Sequence, residues 1–304
     1  MTSLLWSSIP WVESGGGWHK HRAPYTANAT YLHTFDVWVP KAANTHSLPA
    51  PDFVPGRQGP WVVYIHGGAW RDPLVDSSSF ESAALKLLSD KESHISGIVS
   101  INYPLSSHPD HPTHPAPPRD PSQPVDIART AKHPDHIVAV LSAIAYLQNQ
   151  LGVAHDYVLS GHSCGATLTF QTVMNPDRWG AAAGSMPIPK VKKPKSHEKL
   201  QPLYVELTKN AFGDDETLWR DMCPTMVSDW SEEWPEGKVV IIAHRKNDGL
   251  VPYSQTELMK EHLRNNSKLE VIEMPASGDH NDLWKQADEI VEIMKRASVY
   301  CIEV

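Results

Sequence analysis

Cysteine is nearly missing from this chain: Cys164, Cys223 and Cys301 are the only three in 304 residues, far apart and without a C-x-x-C pair. That excludes a disulfide framework and a zinc knuckle, and it suits a reducing compartment. Basic charge is also in deficit. With 35 acidic against 27 basic residues the formal net charge is −8, so neither nucleic acid nor an anionic membrane surface is expected as a partner. No apolar run approaches the eighteen or so residues of a membrane span. The opening MTSLLWSSIPWVESGGG has no basic stretch ahead of its few apolar residues, which argues against a secretory leader. The expectation is a cytoplasmic protein.

What is present suffices for one large domain over residues 1–304, since 40% of the residues are hydrophobic and only 20% charged. Residues 1–30 read as an irregular, aromatic segment. Its triplet Gly15-Gly16-Gly17 follows no strand and precedes no lysine-serine pair, so it reads as a loop and not as a phosphate cradle. Alternating Phe35, Val37 and Val39 predict a half-buried strand, and the proline-rich stretch from Asn44 to Pro60 a surface loop. Residues 105–136 form a long Pro/His-rich loop. His108, His111 and His114 are spaced as metal ligands on a helix would be, but Pro109, Pro112 and Pro115 forbid the helix, and no metal is expected there. The loop is a candidate flap.

The chemistry centres on Tyr157 to Ala166, YVLSGHSCGA. A short apolar run enters Gly161-His162-Ser163-Cys164-Gly165, and Leu168, Phe170 and Val173 continue at helical spacing until Asn175-Pro176. That is strand, tight turn, helix. In such a G-x-S-x-G turn the glycines allow backbone to pass too close for a Cβ, and the serine hydroxyl is lifted out where a base can reach it.

Two further runs deliver partners. Trp61 to Ile65, continuously apolar as a strand covered on both faces would be, leads into His66-Gly67-Gly68-Ala69-Trp70. Backbone N–H groups of Gly67, Gly68 and Cys164 are the candidate oxyanion hole, aimed where a carbonyl oxygen becomes negative. Lys238 to Ala243 leads to Asp248, and Leu269 to Met274 leads to His280. An imidazole must take the proton of a serine nucleophile, and a carboxylate must fix its tautomer. Ser163, Asp248 and His280 follow the chain order of the α/β-hydrolases, which predicts an α/β fold with a mostly parallel sheet flanked by helices on both faces. An amphipathic helix over Ile137 to Leu151, capped by Gly152, precedes the serine strand; further helices are predicted at Phe80 to Leu88, from Asp214, at Gln255 to Leu263 and over Leu283 to Met294. Cys164 reads as a small packing residue. A general ester or amide hydrolase would carry the same residues, whereas a non-catalytic binding protein would tolerate their loss.

HGGAWRDP at 66–73, NYPLS at 102–106, KHPDH at 132–136, GHSCGAT at 161–167, AFGDDETLW at 211–219, NDGLVPYSQTELM at 247–259 and GDHNDLW at 278–284 together resemble the fungal kynurenine formamidases. The resemblance implies hydrolysis of N-formyl-L-kynurenine to L-kynurenine and formate, without cofactor, by a cytosolic homodimer acting on a small molecule. It implies Ser163 as nucleophile, Asp248 and His280 as its partners, and His66 to Trp70 as the oxyanion motif. For this mechanism Trp70 or Tyr103 is expected to confine the formyl group. Gly184 to Leu203 departs from it: the stretch is rich in lysine and proline where the family has a glycine-rich, acidic turn bordering the pocket.

Overall fold

The computed structural model describes residues 6–27, 30–41, 48–50, 52–53, 59–90, 93–151, 153, 157–179 and 201–302. In chain order its strands are β1 (Val12–Ser14), β2 (Gly17–Pro24), β3 (Thr34–Pro40), β4 (Trp61–Ile65), β5 (Gly97–Ile101), β6 (Tyr157–Gly161), β7 (Val239–His244) and β8 (Glu270–Pro275). Its helices are α1 (Glu81–Ser89), α2 (Asp135–Gln150), α3 (Cys164–Thr172), α4 (Gln201–Phe212), α5 (Glu216–Asp221), α6 (Trp230–Glu233), α7 (Ser254–Asn266), α8 (Asp282–Lys285) and α9 (Asp288–Ile302). Among the described residues no helix is long and apolar enough to cross a membrane.

The strands of the larger sheet run in the order β1-β2-β3-β5-β4-β6; β4 is parallel to both β5 and β6, and the edge β1-β2-β3 joins β5 antiparallel. β7 and β8 pair in parallel as a second sheet. The apolar run of β4 is explained by its two covered faces. Trp61, Val63 and Ile65 face a core shared with α2, α3 and α7, while Val62 and Tyr64 face one built from α1 and α9. Side chains of β7 join both cores, Val240 on the first face and Ile241 and Ala243 on the second. The fold is the α/β arrangement expected, with a mixed strand order.

Two expectations need correction, and one helix was not foreseen. Residues 12–24 are not irregular, because β1 and β2 form a hairpin through Gly15 and Gly16. GWHKHRAP shows no alternation, since its polar groups are partnered inside: the Lys20 ammonium donates to the carbonyls of Trp6, at 2.9 Å, and of Ile9, and lies 4.4 Å from the Trp6 ring centre. The closing helix is broken by Ala287, buried at φ +67°, into α8 and α9. α4 is a helix where no sequence pattern was read; Leu207 and Ala211 are its buried residues. Gly152, the 180–200 stretch and most of the 44–60 loop lie outside the described residues.

Candidate active site

Strand register places Ser163 beside the glycine loop. Ile65 on β4 pairs with Gly161 on β6, and the His162 amide bonds to the Ile65 carbonyl at 3.1 Å, so His66-Gly67 and His162-Ser163 leave the sheet side by side. Ser163 caps α3 at φ +55°, ψ −124°, a conformation that costs a non-glycine residue on the order of 1–3 kcal/mol. Its neighbours show why the turn takes this sequence. A Cβ on Gly165 would lie 2.2 Å from the Ile65 carbonyl oxygen, and one on Gly161 2.3 Å from that of Gly165.

The loop after β4 is bent by Gly68, Ala69 and Trp70, all at positive φ. Among the described residues the amides of Gly67, Gly68 and Cys164 have no protein acceptor, as an oxyanion hole requires; the Trp70 amide is taken by the Cys164 sulfur at 3.2 Å. His66 donates from Nδ1 to the Gly67 carbonyl, 2.9 Å, and stacks on Tyr103 with ring centres 4.4 Å apart. Tyr103 is fully buried, and its hydroxyl reaches the carbonyls of His66 and Gly67 at 3.0 and 3.1 Å. It holds the loop from behind and offers no exposed surface of its own. Trp70 is half-buried and packs edge-on against Phe212 of α4, ring centres 4.9 Å apart, while Arg71 donates to Glu206 of α4 at 2.8 Å. Burial pushes the Cys164 thiol up to about 11, so at neutral pH it stays protonated and is no nucleophile.

The parallel pair β7-β8, in register at His244 and Pro275, sets its two following loops together. His280 Nδ1 lies 2.7 Å from Asp248 Oδ2, with the two side chains 12% and 4% exposed. Burial alone would raise the Asp248 pKa; the amides of Val251 and Leu250, at 2.8 and 2.7 Å from Oδ1, together with His280 outweigh it and hold the carboxyl below its ordinary value. An ionised Asp248 only accepts, so Nδ1 of His280 carries the proton and Nε2 is left basic. His162 is placed as sequence reasoning did not anticipate: its Nε2 donates to the His280 carbonyl, 2.9 Å, with ring centres 4.8 Å apart. Burial, and then the nearby charge of His280, lower its pKa to about 4, so at neutral pH it stays uncharged beside His280. No pattern in GHSCG announces that bond. Among the described residues Ser163 makes no hydrogen bond to His280; such links commonly tighten only once substrate is bound. A cleft of about 840 Å³ opens behind Asp248, between His244, Asn247, Tyr253 and Asp279, and one of about 290 Å³ lies between Arg22, Tyr31, His66 and Arg129; Ser163 lines neither. The metal-ligand spacing of His108, His111 and His114 brings their rings to within 5.1 and 5.6 Å of each other, edge to face, without converging on one point.

No protein-family model matches the chain. It is 32% identical over 302 residues to a kynurenine formamidase-like hydrolase of Fusarium equiseti, covering 93% of this chain and 95% of that one. The chain belongs to the kynurenine formamidase family. A kynurenine formamidase of Aspergillus versicolor is 27% identical, over 88% of this chain and 95% of its own. Among solved structures, an esterase B from Lactobacillus rhamnosis inhibited by a tributyrin phosphonate aligns with TM-score 0.61 at 15% identity, over 95% of this chain and 87% of that one. A carbohydrate esterase from gut microbiota aligns with TM-score 0.58 at 17% identity, over 96% and 99%. At such identities the structures speak for the fold alone: this member of the formamidase family has the α/β-hydrolase fold.

Proposed function

We propose that the chain hydrolyses N-formyl-L-kynurenine, with Ser163 as nucleophile, His280 as general base and acid, and Asp248 as its orienter. The observation that carries the reading is the 2.7 Å bond from His280 to Asp248, which leaves Nε2 free to act. The family names of the two fungal relatives support the substrate.

Ser163 Oγ attacks the formyl carbon and its proton passes to His280 Nε2. The oxyanion takes hydrogen bonds from amides of Gly67, Gly68 and Cys164, each worth roughly 10² to 10³ in rate. His280 then gives its proton to the arylamine nitrogen as the C–N bond breaks, leaving a formyl-enzyme. Water adds with its proton going to His280, and the collapse releases formate while the proton returns to Ser163.

Steady-state hydrolysis of N-formyl-L-kynurenine by the natural chain and by Ser163→Ala, followed as kynurenine absorbance, tests this. Turnover that falls by about 10⁴ to 10⁶ in the variant supports both substrate and nucleophile. A chain that ignores this formamide yet cleaves short aryl esters through Ser163 sinks the substrate and keeps the nucleophile.

A further inference from the structure

A second cluster of reactive side chains stands on the far side of the larger sheet. β2 carries His19 and His21, and Asp36 faces them from β3. The pairing runs in register through His19 with Trp38 and Lys20 with Val37, then slips before Ala23 with Phe35. This bulge, with Arg22 at φ +48°, swings His21 over Asp36. His19 Nε2 and His21 Nδ1 thereby converge on one carboxylate oxygen, Oδ1, at 2.8 and 2.7 Å. The three donor atoms lie within 4.8 Å of one another.

The cluster is built, not incidental. The His19 ring is fixed flat against Trp38, centres 4.6 Å apart at 9°. Asp36 has no exposed surface and is aimed by the Ser77 hydroxyl on Oδ2 and the Arg22 amide on Oδ1, 3.2 Å. The His21 side chain is 57% exposed and gives a route in. Three donors crowd one oxygen that has two lone pairs. A cation among the ligand atoms would replace two of those hydrogen bonds and neutralise the buried carboxylate, each imidazole keeping its proton on the other ring nitrogen.

We propose that His19, His21 and Asp36 bind a first-row divalent metal ion, with zinc as the natural probe. Two imidazoles and a carboxylate are a donor set that such ions take. With metal–ligand bonds of about 2.0–2.2 Å, the ligand atoms of a tetrahedral site stand roughly 3.3–3.6 Å apart, so the present 2.8 and 2.7 Å contacts would open by about 0.5–0.9 Å. Strand order puts β5 and β4 between this cluster and β6, so the ion would clamp the bulged hairpin and take no part at Ser163. The site runs against the sequence reading, which expected no metal.

The test is zinc titration of the full chain, stripped with chelator, by calorimetry and by thermal melting, with cobalt absorption as the sign of nitrogen and oxygen ligation. We expect saturation at one zinc per chain, a higher Tm with zinc, and binding at least about 10-fold weaker in His21→Ala, whose exposed ring can be removed without opening the core. Asp36→Asn should abolish it. Failure to saturate overturns the site, and so does zinc binding left unchanged in both His21→Ala and His19→Gln.

Discussion

The side chain of His162 holds the main chain of His280, Nε2 to carbonyl oxygen, at 2.9 Å. The residue beside Ser163 therefore positions His280, the proposed base. Removing that tether leaves the reacting groups present but looser. His162→Ala should lower kcat by roughly 10- to 100-fold with little change in KM, the scale expected for small misplacements. His162→Gln, which keeps a donor, should recover part of the loss. Steady-state kinetics on the two variants checks this, and equal kcat in all three proteins would refute it.

Asp248 offers a sharper test. Asparagine preserves its shape but can present an N–H where a carboxylate oxygen is needed, favouring the wrong tautomer of His280. We expect Asp248→Asn to reduce kcat by about 10³ to 10⁴ while the fold, read by circular dichroism, is kept. The depressed carboxyl pKa also has a sign. A group whose folded pKa lies below its unfolded value stabilises the fold above the unfolded pKa and loses that contribution as pH falls through the folded one. Any benefit from Asp248 therefore disappears only in strong acid.

With Tyr103 shut away behind the loop, we propose Trp70 as the side chain that bounds a small acyl group. Trp70→Ala should raise the rate for acetyl and propionyl relative to formyl on a common arylamine. An unchanged acyl-length preference would count against that role.

Three buried imidazoles and one half-buried one make the fold sensitive to acid. Burial lowers His66, His133 and His162 to about 4 and His136 to about 3. Between those values and the unfolded pKa near 6.5 the unfolded chain binds more protons, so stability falls as pH drops through this window. Each group adds up to one proton to the slope, about 1.4 kcal/mol per pH unit. His136, bonded through Nε2 to the Ser106 hydroxyl at 2.9 Å, is the cleanest to remove. Urea midpoints measured from pH 7 to 4 should fall less steeply in His136→Gln, by about one proton's worth.

Much of this was legible where one residue type is forced by backbone. Gly161 and Gly165 leave no room for a Cβ, so the elbow is written in five letters. Strands β4 and β5, covered on both faces, show as apolar runs. What stayed hidden depends on long-range partners. β2 looks polar because Lys20 and His19 are satisfied by residues from other segments, the Trp6 carbonyl and Asp36. The inward turn of Tyr103 follows from its bonds to His66 and Gly67, which spacing does not encode. α4 is held partly by Glu206 on Arg71, a pairing 135 residues apart in sequence.

The packing of α9 has a consequence for synthesis on the ribosome. Its Ile290, Ile293 and Met294 cover Val62 and Tyr64 on β4 and pack with Val158 on β6. All six strands of the larger sheet are translated before residue 162, but this cover follows only from residue 288. At the usual 5–20 residues per second the nascent sheet carries an apolar face covered only by Phe80 and α1 for roughly 6 to 25 s. Chaperone occupancy during that interval, more than the stability of the finished fold, would then set the yield of active protein.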